Sequence, residues 1–222
     1  MRFAGRDPGR LTIGEYDRNS WEERWSQALR EHGHRVAQRP PSAHLTAEVY
    51  ALQAGRALDA GCGHGSDTLW LAARGWQVTG VDFAATALTY ARSSAEALGE
   101  DIAERIEWVE ADLTTWTPPP EAYDLVLSLY LHAAESVVEL VQRLAGGVAA
   151  GGTLLLVGHR PIDPTTGAAT AAAGQVQVSV DAARAALDPA SWEVVVAEER
   201  PRPVAGSGVD AVIRATRRPH LT

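Results

Sequence analysis

From Arg56 onward, short runs that are apolar on both faces alternate with longer stretches of helical spacing. "RALDAG" reads as a strand, and "SDTLWLAARG" as a helix starting near Ser66 and stopping at Gly75. "WQVTGVD" is a strand, "AATALTYARSSAEALG" a helix closed by Gly99, and "IEWVEADL" a strand. After the proline-rich loop "TTWTPPPEA" come the strand "YDLVLSLYLH", the helix "ESVVELVQRLAGGVA" and the strand "GGTLLLVGH". Continuous apolar strands separated by helices belong to a parallel sheet covered on both faces. The predicted architecture is an α/β, doubly wound, Rossmann-like three-layer sandwich.

The rhythm differs at the two ends. Upstream, "SWEERWSQALRE" has helical composition, with Ser20 as N-cap and Glu23 three residues on. "HGHRVAQRPPSA" breaks the pattern, and "HLTAEVYALQA" resumes a helix that ends at Gly55. Downstream, Arg160 to Gln175 is rich in Pro, Thr, Gly and Ala and reads as a long loop, a candidate lid. "VSVDAARAALDP" is a short helix. "WEVVVAEER" and "VDAVIRATR" are separated only by "PRPVAGSG", which predicts an antiparallel hairpin at the sheet's end. The expected sheet is therefore seven-stranded and mostly parallel, with an antiparallel C-terminal hairpin. Residues 1–19 are expected to be a flexible leader and 20–222 a single domain, in which helices of 20–54 cap the site.

Composition narrows the partners. The 222 residues suit one domain with a sizeable core. The net charge of −8 argues against nucleic acid, whose phosphates call for a basic surface. The one cysteine excludes a disulfide framework. His32 and His34 in "HGH" have no further ligands nearby, so no metal is expected. No secretory signal or membrane span is legible, and a soluble, cytoplasmic monomer or homodimer is expected.

In a doubly wound sheet, ligands bind beyond the carboxyl ends of the strands. The segments to watch begin at Asp59, Asp82, Asp112, Ser128 and His159. Glycines at 61, 63 and 65 permit a sharp turn and close approach of a ligand to the main chain. Asp82 lies about 20 residues past that loop, where an acid takes the hydroxyls of a ribose. A dinucleotide fingerprint would read G-x-G-x-x-G. Here it reads G-x-G-x-G, with Asp59 two positions earlier. An acid there suits a ligand carrying an ammonium and a sulfonium better than a pyrophosphate. S-adenosyl-L-methionine answers that description and is the expected cofactor. His132 and His159 follow strands at the same edge, and either could serve as a general base.

The sequence resembles the class I S-adenosylmethionine-dependent methyltransferases from about Ser20 to Arg217. "LDAGCGHG", "VTGVDF", "EADL", "YDLVLSLYLH" and "LAGGVAAGGTLLLVGH" carry the likeness. "WLAARGWQVTGVDF" and "GGTLLLVGH" look most like the small tellurite-resistance and thiopurine-type methyltransferases. The resemblance implies that Asp59, Ala60, Gly61 and Gly63 line the methionine end of the cofactor. It implies that Asp82 holds the ribose, that Phe83 lies against the adenine, and that Asp112 accepts from the adenine amino group beside Leu113. Ser128 and Leu129 would sit under the sulfur, and Trp21 or Trp25 would close over it. The implied activity is methyl transfer to the S, N or O atom of a small-molecule acceptor, leaving S-adenosyl-L-homocysteine. The acceptor would be framed by Trp21–Ala43, Leu131–Glu135 and the 160–175 loop, with Arg35 and Arg160 as candidates for holding an acidic one. The competing expectations are a nicotinamide-dependent oxidoreductase and a cofactor-binding protein without catalysis.

Overall fold

The computed structural model describes residues 18–132, 136–163, 167–170, 176–202 and 208–219. The expected leader therefore lies almost entirely outside the described residues. So do 164–166 and 171–175 of the expected lid.

Strands β1 (Arg56–Ala60), β2 (Gln77–Asp82), β3 (Ile106–Glu110), β4 (Tyr123–Leu129), β5 (Val148–His159), β6 (Trp192–Pro201) and β7 (Val209–Arg217) form one sheet in the order β3-β2-β1-β4-β5-β7-β6. β1 to β5 run parallel, and β7 lies antiparallel to both β5 and β6. This is the predicted sheet, closing hairpin included.

Alternation along the central strands divides the core into two layers. Leu58, Val126, Leu154, Leu156 and Ile213 pack with Leu140, Val141 and Leu144 of helix α6 (Val137–Gly146). Ala57, Leu125, Leu127, Leu155 and Val212 pack on the other face. Their partners there are Leu45 and Val49 of α2 (Ala43–Val49) and Leu71 and Ala72 of α3 (Ser66–Ala72). Both faces of the strands are thus buried, which is why they read as continuous apolar runs. Helix α4 (Ala85–Leu98) follows β2, and α7 (Val180–Ala186) precedes β6.

The helix boundaries depart from expectation in places. α1 covers Arg18–Ala37, so Ser20 lies inside the helix and does not cap it. The expected break at "HGH" is present, since His32 is non-helical (φ −138°, ψ 26°), but the chain resumes a helical course to Ala37. α2 stops at Val49, well short of Gly55, because the Leu52 N–H turns back to the Val49 carbonyl. A single unpredicted turn, α5 (Glu100–Ala103), follows Gly99. Of the expected lid, Ile162 and Ala169 form an antiparallel bridge.

Candidate active site

A cavity of about 990 Å³ opens at the carboxyl ends of the parallel strands. Its floor is the turn between β1 and α3. The Gly61 and Cys62 N–H groups donate to the Val81 carbonyl at 2.8 and 3.0 Å, tying the turn to β2. Gly61 and Gly63 have φ of +87° and +53°, in the left-handed region where glycine carries no Cβ penalty. A Cβ on Gly61 would stand 2.9 Å from Leu131 Cδ1, and one on Gly63 2.9 Å from Trp25 Cζ2. The loop is bare because neighbours approach it this closely.

Carboxylates gather around that floor. Asp82 Oδ2 accepts from the Gly63 N–H at 2.8 Å, and Oδ1 accepts from the Ala84 N–H at 2.9 Å. Each oxygen keeps a further lone pair for a ligand hydroxyl. Asp112 Oδ1 accepts from both the N–H and the hydroxyl of Thr114, at 2.9 and 2.7 Å, and so faces the cavity in a fixed turn. Asp67, which sequence reasoning passed over, also lines the cavity and accepts from the Ser42 N–H at 2.7 Å. Asp59 is only 3% exposed and lies behind the loop, accepting from the Thr68 hydroxyl at 2.6 Å. Burial, then repulsion from Asp67 and Asp82, pushes its carboxyl up to about 8. Burial likewise raises Asp67 and Asp82.

Helix α1 forms the roof. Trp21 and Trp25 both line the cavity, four residues apart on one helix face. Glu22, between them in sequence, accepts from the N–H and hydroxyl of Thr86 at the start of α4. Arg18 Nη1 donates to Glu110 at the end of β3, at 2.7 Å. The Trp21 ring lies 5.3 Å from that of His132, and Trp25 5.3 Å from that of His64. Burial lowers both histidines to about 4, assisted by Arg39 for His64 and by His159, then Arg24, for His132. Both rings are therefore neutral at pH 7, and His64 Nε2 is buried without a hydrogen-bond partner among the described residues.

The side of the cavity near β5 is built by the register between β5 and β7. His159 ends β5 directly opposite Asp210 on β7, so their side chains meet on one face. His159 lines the cavity, and its Nδ1 sits 2.8 Å from Asp210 Oδ1. Tyr130, also in the wall, stacks on the His159 ring at 4.3 Å.

The cavity wall thus unites Gly61, Gly63, Asp82, Phe83, Asp112, Leu113, Leu129, Trp21, Trp25, His132 and His159 from the sequence candidates. Asp59, Ala60 and Ser128 are not in it. Ala60 is fully buried, and the Ser128 hydroxyl donates to the Ala60 carbonyl at 3.1 Å, bracing β1 against β4 from behind. Arg35 and Arg160 are not wall residues either. Arg160 is paired to Glu199 of β6 at 2.6 Å, and the arginines in the wall are Arg18 and Arg39. Asp67, Arg39, Tyr130 and Asp210 carried no motif of their own. Among the described residues, no three His, Cys, Asp or Glu side chains cluster closely enough to hold a metal ion, and no helix is long and apolar enough to cross a membrane.

The wall suits a cationic adenosyl ligand on its own chemistry. It offers carboxylates to hydroxyls and amines, apolar Phe83 and Leu113 beside them, and the neutral imidazoles of His64 and His132.

A methyltransferase domain family matches residues 57–152, from β1 into β5. A trans-aconitate 2-methyltransferase of Paracidovorax citrulli is 37% identical over 123 residues, 52% of this chain and 43% of that protein. The chain thus spans under half the length of the curated relative it matches. Among solved structures, an S-adenosylmethionine-dependent methyltransferase from Mesorhizobium loti superposes with a TM-score of 0.61 at 22% identity, over 79% of this chain and 98% of that one. A TehB-like SAM-dependent methyltransferase from Corynebacterium glutamicum superposes with a TM-score of 0.61 at 19% identity, over 90% of this chain and all of that one. At these identities the two structures speak to the fold. The chain thus carries, over residues 57–152, a match to a methyltransferase domain, within the fold of the S-adenosylmethionine-dependent methyltransferase structures it superposes on.

Proposed function

We propose that this protein transfers the methyl group of S-adenosylmethionine to a small-molecule acceptor by in-line displacement at an S, N or O nucleophile. The observation that supports this most is the acidic rim. Asp67, Asp82 and Asp112 ring the glycine turn, while the nearby His64 and His132 are held neutral. Asp82 would take the ribose hydroxyls and Asp112 the adenine amino group, with Phe83 and Leu113 against the ring. Gly61 and Gly63 would line the methionyl chain, with Asp59 and Ala60 supporting the loop from behind. Leu129 would face the sulfur from the cavity wall, and Ser128 would brace it from below. Trp21 and Trp25 would close over the site from α1.

The cofactor supplies a methyl group already activated on a positively charged sulfur. The protein's task is then to align the acceptor and exclude water. The aromatic roof is fitted to that task. The net charge of −8 favours a small molecule over nucleic acid as acceptor.

A second reading concerns the acceptor. The name of the curated relative points to a polycarboxylate, and Arg39 in the wall offers a cation for one.

Calorimetry tests the cofactor directly. S-adenosylmethionine and S-adenosylhomocysteine are expected to bind, and NAD is not. Binding of NAD alone would return the site to an oxidoreductase. Cofactor binding without transfer to any thiol, heteroaromatic, phenol or carboxylate acceptor would favour the non-catalytic reading.

A further inference from the structure

We propose that His159 is the general base for a protic methyl acceptor, and that Asp210 is the positioning residue that turns His159 Nε2 toward the cavity. The proposal rests on the methyl-transfer reading and narrows its acceptor to a hydroxyl, thiol or N–H nucleophile, as against a carboxylate.

Asp210 is fully buried yet surrounded by donors. Its Oδ1 meets His159 Nδ1 and Arg202 Nε, both at 2.8 Å. Its Oδ2 meets the Tyr130 hydroxyl at 3.1 Å and His44 Nε2 at 3.2 Å. Burial opposes the charge on Asp210, but hydrogen bonds from His159, His44 and Arg202 outweigh it and hold the carboxyl well below the usual carboxylate range. An ionised carboxylate only accepts hydrogen bonds. The atom facing it must therefore be a donor, which fixes the hydrogen of the neutral His159 ring on Nδ1. Nε2 is left with its lone pair.

Tyr130 covers the imidazole, with ring centroids 4.3 Å apart, and the His159 main chain is tied down by its N–H donating to Gln177 Oε1 at 2.6 Å. Tyr130 does so from a left-handed backbone conformation (φ 60°), which costs a non-glycine residue energy and is retained where surroundings enforce it. His159 keeps 26% of its side chain exposed and lines the cavity, so the free nitrogen lies within reach of a ligand. His132, the other histidine candidate, is lowered to about 4, by burial foremost.

This arrangement has a use only if the acceptor has a proton to lose. A carboxylate at neutral pH has already lost it. In the reaction inferred, the acceptor's X–H bond gives its proton to His159 Nε2. The X–C bond forms as the methyl leaves sulfur, and the S–C electron pair stays on sulfur as the thioether of S-adenosylhomocysteine. Asp210 holds the imidazolium until the proton passes to solvent.

The test assays full-length protein with S-adenosylmethionine and three acceptors: catechol, benzyl mercaptan and trans-aconitate. Catechol or benzyl mercaptan is expected to be methylated. His159→Gln is expected to lower kcat on it about 100-fold or more, with KM for S-adenosylmethionine little changed. Nitrogen-15 NMR of the histidine side chains is expected to place the neutral ring's hydrogen on Nδ1, and Asp210→Asn is expected to abolish that signal together with kcat. If Asp210→Asn fails to fold, the His159 variant and the wild-type spectrum still decide. Turnover of trans-aconitate alone, an unaltered kcat in His159→Gln, or a neutral ring protonated on Nε2 would each overturn the proposal while leaving methyl transfer intact. Absence of cofactor binding, or of transfer to all three acceptors, would instead remove the methyl-transfer reading beneath it.

Discussion

Asp82 uses one carboxylate for two tasks. It ties the glycine turn to the start of α4 through the Gly63 and Ala84 N–H groups, and it keeps lone pairs for the cavity. Removing it leaves two backbone donors short of a partner and a ligand hydroxyl without its acceptor. Asp82→Ala is therefore expected to weaken S-adenosylmethionine binding by about 1.5–3 kcal/mol, the scale of hydrogen bonds to a charged group. Asp82→Asn, which retains one acceptor oxygen, should lose less. Titration calorimetry measures both, and an alanine variant of wild-type affinity would sink the ribose assignment. This residue was legible because its distance from the glycine loop is a local spacing. Asp210 was not, although it organises four side chains. Its meeting with His159 depends on the register in which β7 pairs with β5, two strands far apart in sequence, and no local spacing sets that register. Asp67 escaped notice for a related reason. It reads as an ordinary first-turn acid of α3, and its place in the wall comes from folding Ser42 against it.

The centre of the sheet was legible element by element, since β1, β4 and β5 are buried on both faces and read as largely apolar runs. The roof was harder to read. "HGH" does break the helix at His32, but the return to helix up to Ala37 was not legible. Tertiary contact outweighs local propensity, and the Tyr90 hydroxyl donates to the Gly33 carbonyl at 3.3 Å beside the bend. The join between α1 and α4 has a further consequence. The residue before α4 is Ala84, which has no side chain to cap the helix. Glu22 does so from α1, placing a carboxylate against the positive end of the α4 dipole. Glu22→Ala should cost about 0.5–2 kcal/mol, in line with loss of a helix cap. Denaturant unfolding checks that figure. Because Trp21 and Trp25 flank Glu22 on the same helix, the variant should also bind S-adenosylhomocysteine more weakly. A variant that is destabilised but keeps full affinity would mean that the tryptophans do not close on the cofactor.

Across the whole molecule, the cavity separates two carboxylate systems of opposite character. At the β5–β7 side, Asp210 is surrounded by donors and stays ionised. Its contribution to stability is present above the ordinary carboxylate range and is lost as pH falls through its depressed value. At the glycine turn, Asp59 is buried beside other acids and is raised from 3.8 to about 8. Between those values the folded protein holds a proton that the unfolded chain has released, so raising the pH favours unfolding. The ligand-free protein should accordingly lose thermal stability from mildly acidic pH toward 8. A ligand that brings an ammonium and a sulfonium to this cluster favours its ionised form. Binding below pH 8 should therefore release protons, and affinity for S-adenosylmethionine should climb with pH and level off above 8. Calorimetry in buffers of different ionisation enthalpy counts those protons, and proton uptake on binding would refute the account. Asp59→Asn separates the two effects, because its amide oxygen can still accept from the Thr68 hydroxyl. That variant should flatten the ligand-free pH slope and bind the cofactor less tightly at pH 8. If it keeps the wild-type slope, the proton resides on Asp67 or Asp82, the other acids that burial raises at the turn.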